Sequence, residues 1–151
     1  VEVLTGQMWL KARDTLCRIS ELADEEGVVF TLENLNLPVD QPGVLVGRAE
    51  QTLALVSSVN HKRLKLNLDL YHAQIGEGNL IELCRKCLPW IGEVQVADNP
   101  GRCEPGTGEI NYAGVAKALK DMSYSGPVGM EANAKGDEEA ALEAFRSAFT
   151  V

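Results

Sequence analysis

Two apolar periods take turns along this chain. Ala12, Leu16, Ile19, Leu22 and Ala23 recur at helical spacing as far as Gly27, a residue suited to a C-terminal cap. Val28 to Glu33 follows as a β-rich run, and a loop with Pro38, Pro42 and Gly43 leads to a second helical stripe at Ala49, Leu53, Val56 and Val59. Leu64 to Asp69 reads as the next strand. A helix from about Asn79 is stopped by Pro89, the strand Glu93 to Ala97 comes after it, and a Gly/Pro-rich loop runs from Asp98 to Glu109. Val115, Ala118, Leu119 and Met122 mark another helix and Pro127 to Glu131 a fourth strand. Asp137 then opens a last helix with Leu142, Phe145 and Phe149 along one side. Four strands alternating with five helices predict βα units and a parallel sheet.

Side chains alternate faces along a strand, so parity sorts these positions. Leu64, Leu66 and Leu68 share one face of the second strand, and Lys65, Asn67 and Asp69 share the other. The third strand sets Val94 and Val96 against Glu93, Gln95 and Ala97, and the fourth sets Val128 and Met130 against Gly129 and Glu131. A doubly wound sheet, covered by helices on both faces, would show near-continuous apolar strands. A barrel has helices outside and a lumen that turns polar near an active site, so the expected class is α/β, of the (β/α) TIM-barrel type. The competing reading is an open sheet whose polar face meets water. Charges gathered at strand ends argue against it.

Glu33, Asp69, Gln95 and Glu131 stand at or near the C-terminal ends of the four strands, on the parity of the interior. Carboxylates converging in a lumen repel one another and raise their pKa values unless a cation neutralises them. Oxygen-only ligands favour a hard divalent ion, Mg²⁺ or Mn²⁺, with Co²⁺ an alternative. Glu93 shares the parity of Gln95 and is expected either to support the metal site or to pair with Lys65.

Composition narrows the picture further. A chain of 151 residues, 45% of them apolar, can bury one core and is expected to form one domain. A net charge of −8 repels phosphate backbones and anionic lipid, which argues against a nucleic-acid or membrane partner. Neither an eighteen-residue apolar run nor a basic-then-apolar leader is visible, so a cytoplasmic protein is expected. Cys84 and Cys87 suggest a redox or zinc pair, yet they fall on the apolar stripe Leu80, Ile81, Cys84, Cys87, Leu88 and are read as reduced core thiols.

The segments Leu32-Glu33-Asn34-Leu35-Asn36, Asp69-Leu70-Tyr71-His72-Ala73-Gln74 and Glu77-Gly78-Asn79-Leu80 carry a resemblance. So, above all, does Val94-Gln95-Val96-Ala97-Asp98 with Pro100-Gly101-Arg102-Cys103-Glu104-Pro105-Gly106-Thr107-Gly108-Glu109-Ile110-Asn111-Tyr112. From about Ala12 onward the chain resembles hydroxypyruvate isomerases of the xylose-isomerase-like barrel superfamily. The resemblance implies that Glu33, Asp69, Gln95 and Glu131 match the four metal ligands and that Glu33 and Glu131 double as the acid/base pair. It implies that His72 and Arg102 contact the oxygens of a small hydroxycarbonyl substrate. The implied reaction interconverts hydroxypyruvate and tartronate semialdehyde through an enediolate.

Each of those last two residues also has a plainer reading. Arg102 could order its loop by pairing with Glu104 or Glu109, and His72, in a strand-to-helix loop, could be a structural histidine. His61 lies in a polar turn and is expected to be solvated.

By strand count, residues 1–151 look like one half-barrel domain, strands five to eight of a longer eight-stranded barrel. A half-barrel leaves two sheet edges open, so self-association or binding of the missing half is expected. The alternatives are a ketose 3-epimerase or inosose dehydratase of the same superfamily, or a non-catalytic half-barrel.

Overall fold

Parallel pairing holds the molecule together, as the alternation of periods predicts. The computed structural model describes residues 4–150. Its strands β1 (Phe30–Glu33), β2 (Leu64–Asp69), β3 (Ile91–Val96) and β4 (Val128–Met130) form one sheet in the order β1-β2-β3-β4, every pair parallel. The helices α1 (Gly6–Glu25), α2 (Ala49–Val59), α3 (Leu70–Gly76), α4 (Leu80–Cys87), α5 (Tyr112–Asp121) and α6 (Glu138–Phe149) pack around it. Chain order equals sheet order, so each crossover returns to the neighbouring strand, the connectivity of a (β/α) barrel.

Leu66, Leu68, Val94 and Val96 are fully buried against helices, and with Leu83, Cys84, Cys87, Val115 and Leu119 they form the main core. A smaller cluster of Leu16, Leu55, Val56 and Leu64 lies under α1 and α2. The apolar parity of the strands therefore faces the helices. Cys84 and Cys87 are free and fully buried, and burial pushes both thiols up to about 12, which makes them inert core residues as expected.

Three sequence expectations are corrected. Six α-helices are present among the described residues instead of five, because α3 starts directly from Asp69, the last residue of β2. His72 sits in that helix, not in a loop. Leu22 and Leu142 are 50% and 60% exposed, since each lies one residue, about 100° of rotation, beyond the buried Ala23 and Ala141. Pro89 does stop the helix, within a 3-10 turn, Leu88–Trp90, that follows α4. Gly27 does close α1: at φ +70 it takes the left-handed turn while its N–H and that of Val28 reach back to the carbonyls of Asp24 and Ala23.

Candidate metal and substrate site

Register decides which polar side chains meet. Glu33 is paired with Asn67 across β1 and β2, Asp69 with Gln95 across β2 and β3, and Gln95 with Gly129 across β3 and β4. Glu131 follows β4 directly, its N–H donating to the Val96 carbonyl at 3.1 Å, so the ladder carries one step past the strand. All four sequence-predicted metal ligands thus reach the C-terminal rim of the sheet. Glycine at 129 leaves room beside Gln95 and Glu93; a Cβ there would stand 3.2 Å from the Glu93 carboxylate.

Asn34 fixes the rim locally. Fully buried, it accepts the Asp69 N–H at 3.0 Å and donates to the Asp69 carbonyl at 2.9 Å, clamping the end of β2 to the exit of β1. The Asp69 carboxylate then caps α3, accepting the His72 N–H on Oδ1 at 2.8 Å. One turn of helix therefore ties a carboxylate of the rim to an imidazole.

The imidazole is 1% exposed. Its Nε2 lies 3.5 Å from Glu33 Oε1, and its Nδ1 lies 2.7 Å from Asn36 Nδ2 and 3.8 Å from Asp40 Oδ2. Ligand atoms of Glu33, Asp69 and His72 fall within 4.8 Å of one another. Arg102, held at φ +53 by the loop after β3, stacks its guanidinium over the Tyr71 ring at 5.2 Å and donates to Glu131 Oε2 at 2.6 Å. Arg102 therefore pairs with neither Glu104 nor Glu109.

Asp98 builds that loop. Its buried carboxylate accepts N–H groups of Asn99, Gly106 and Ile110 at 2.9, 2.8 and 3.0 Å, and the Asn133 N–H ties the exit of β4 to the Arg102 carbonyl. Sequence reasoning does not single out Asn36, Asp40, Tyr71 or Asp98 as site residues. Asn36, Tyr71 and Asp98 lie within the motif segments, which is the signal that points to them.

Electrostatics makes the rim short of positive charge. Burial raises the Asp69 carboxyl to about 7, helped by the negative charges of Glu33 and Glu131. Burial and Glu131 likewise push Glu33 up. Burial and nearby Arg102 lower His72, which favours a neutral ring. Asp69 Oδ2, Gln95 Oε1 and Asn67 Oδ1 are buried acceptors that receive no hydrogen bond. Orphaned buried acceptors are rare and require a partner. These unpartnered acceptors, together with the carboxylates of Glu33 and Glu131, are oxygen donors and partly anionic, a set that fits a hard divalent cation.

Residues 4–148 match the family model described as the xylose isomerase-like TIM barrel. This chain belongs to that family. Among the relatives of this xylose isomerase-like chain, the hydroxypyruvate isomerase of Escherichia coli K12 is 38% identical over 118 residues, which is 78% of this chain and 45% of the relative. The 2-oxo-tetronate isomerase of Pectobacterium atrosepticum is 34% identical over 116 residues, 77% of this chain and 44% of the relative. A Brucella melitensis crystal structure described as an AP endonuclease of family 2 superposes with a TM-score of 0.81 at 32% identity, covering 93% of this chain and 52% of that one. The chain spans about half the length of the relatives it matches.

Proposed function

We propose that this chain carries the site of a divalent-metal-dependent isomerase that interconverts hydroxypyruvate and tartronate semialdehyde. The observation that carries the proposal is the excess of buried acceptors, Asp69 Oδ2 and Gln95 Oε1, between carboxylates whose titration is pushed up. Glu33, Asp69, Gln95 and Glu131 would hold the cation. Bound there, Mg²⁺, Mn²⁺ or Co²⁺ supplies Lewis-acid polarisation of the substrate carbonyl and neighbouring hydroxyl, which acidifies the C–H bond beside them.

The remaining steps belong to side chains. One of Glu33 and Glu131 removes a proton from the hydroxymethyl carbon, and the C–H electron pair becomes the double bond of an enediolate. As that double bond forms, the carbonyl π pair moves onto its oxygen. The other glutamate then returns a proton to the adjacent carbon, while the original hydroxyl oxygen gives up its proton to the former carbonyl oxygen and becomes the new carbonyl. A carboxyl lifted toward neutrality, as Glu33 is, suits both directions of transfer. His72 and Arg102 bind substrate oxygens. Arg102 offers a planar fork to the substrate carboxylate, which competes with Glu131 for it, so that substrate binding frees Glu131. A 2-oxo-tetronate substrate is the second reading; it keeps the same reacting atoms and is supported by 34% identity to an isomerase of that name.

The proposed partner that closes the lumen is a second copy or a complementary half-barrel, since β1 and β4 each pair on one side only among the described residues. Hydroxypyruvate consumption tests the reading. Turnover is expected to vanish with EDTA, return with Mn²⁺ and be abolished by Glu131→Gln. Activity that survives both chelation and the substitution would sink it.

A further inference from the structure

His72 presents two incompatible uses. Its ring lies close enough to Glu33 and Asp69 to join them around a cation, and Nε2, 3.5 Å from Glu33 Oε1, could either ligate such a cation or carry a proton toward the lumen. A ring nitrogen cannot do both at once, because ligation needs the lone pair that protonation occupies. The choice is made on the far side of the ring.

Asn36 is fully buried there. Its Oδ1 accepts the backbone N–H groups of Val39 at 3.1 Å and Asp40 at 3.0 Å, which fixes the amide orientation, since the reversed amide would set its NH₂ against two donors. Nδ2 then faces Asp40 Oδ2 at 2.6 Å and His72 Nδ1 at 2.7 Å. An amide nitrogen has two protons, and it has two partners here. The carboxylate takes one and the imidazole must accept the other. Nδ1 therefore offers a lone pair and the ring proton lies on Nε2, pointing to Glu33 and the lumen. Moving it to Nδ1 would confront two N–H groups across 2.7 Å in a site shut off from water.

Resting on the isomerase reading above, we infer that Asn36 is a positioning residue that locks His72 in the neutral Nε2–H tautomer. His72 is thereby a hydrogen-bond donor to a substrate oxygen and is excluded from the metal ligands. The short helix α3 completes the arrangement: its cap, Asp69, keeps Oδ2 for the cation while Oδ1 holds the His72 backbone. Asn36 thus separates the work of two neighbours one turn apart, a carboxylate for the cation and an imidazole for the substrate.

The tautomer is directly readable from long-range ¹H–¹⁵N correlation spectra of the imidazoles. The chain has two histidines, and His61→Gln assigns the His72 signals. The Nε2–H pattern is expected in the wild-type chain, and addition of Mg²⁺ is expected to leave it in place. The paired exchange Asn36→Asp with Asp40→Asn keeps the net charge and the acceptor for both backbone N–H groups, but sets an acceptor against Nδ1. It is expected to move the proton to Nδ1. Asn36→Ala, which removes the donor alone, is expected to give a mixture of the two forms and reports if the paired exchange does not fold.

An Nδ1–H pattern in the wild type, or a tautomer indifferent to both variants, would overturn the inference. So would loss of the Nε2 proton on adding Mg²⁺. The wild-type spectrum needs neither metal nor substrate, so failure of the tautomer lock and failure of the isomerase reading are told apart by the spectrum and the turnover assay.

Discussion

Asp69 shows how much one carboxyl group can do at a strand end. Its backbone is held by Asn34, its Oδ1 caps α3, and its Oδ2 is left buried without a hydrogen bond, near the negative charges of Glu33 and Glu131. A folded-state value of about 7, against an ordinary 3.8, means that the proton bound by Asp69 stabilises the cation-free fold. That contribution is full below the unfolded value and is given up as pH rises through about 7. The EDTA-treated chain is expected to lose on the order of 2 kcal/mol between pH 5 and pH 8, and Asp69→Asn to flatten this dependence. Thermal melts across that range check it, and a wild-type melting temperature independent of pH would contradict it. Strand parity alone is enough to place Glu33, Asp69, Gln95 and Glu131 on the rim. The contact of Asn36 with His72 is not legible in the sequence, because a hydrogen bond between a loop and a helix 36 residues apart leaves no periodic trace.

Elements are legible where a full period can develop. β2 matches its expected bounds because its alternation runs six residues, with neighbours on both sides. β1 and β4 are shorter than expected, with a ladder partner on one side only among the described residues. The seven residues of α3 are hidden from sequence reasoning because so short a helix shows no stripe, and its cap is also the end of a strand. The loop after β3 announces itself by its Gly and Pro residues, but nothing in that pattern marks Asp98, its first residue, as its organiser. Asp98→Ala is expected to cost about 3 kcal/mol, since three backbone N–H groups lose their acceptor. It should also loosen Arg102 from Glu131. Denaturant unfolding together with amide exchange at Gly106 and Ile110 measures both effects, and a loss below about 0.5 kcal/mol would show that the loop holds without it.

At the scale of the whole molecule, the sheet covers half of an eight-stranded circumference. The chain exposes 8375 Å², against about 7,500 Å² for a folded monomer of its mass. The difference is comparable to one partner's share of a standard protein interface, roughly 800 Å². Val28, Val29 and Phe30 stand exposed at the start of the β1 edge, and an apolar groove of about 590 Å³ lies between α1, α2, the end of β1 and the loop that follows it. Self-association through this edge is expected in light scattering, weakened by Phe30→Asp. A single monomer peak with a sharp cooperative melt would argue that the open edges need no partner.

The central claim, a divalent cation held at the rim of the strands, is tested most directly by an anomalous-scattering map of crystals soaked in Mn²⁺. One peak is expected within bonding distance of Asp69 Oδ2 and Gln95 Oε1, joined by Glu33 and Glu131, with His72 outside the coordination sphere. A rim without a peak, or a peak bonded to His72 Nε2, would contradict it.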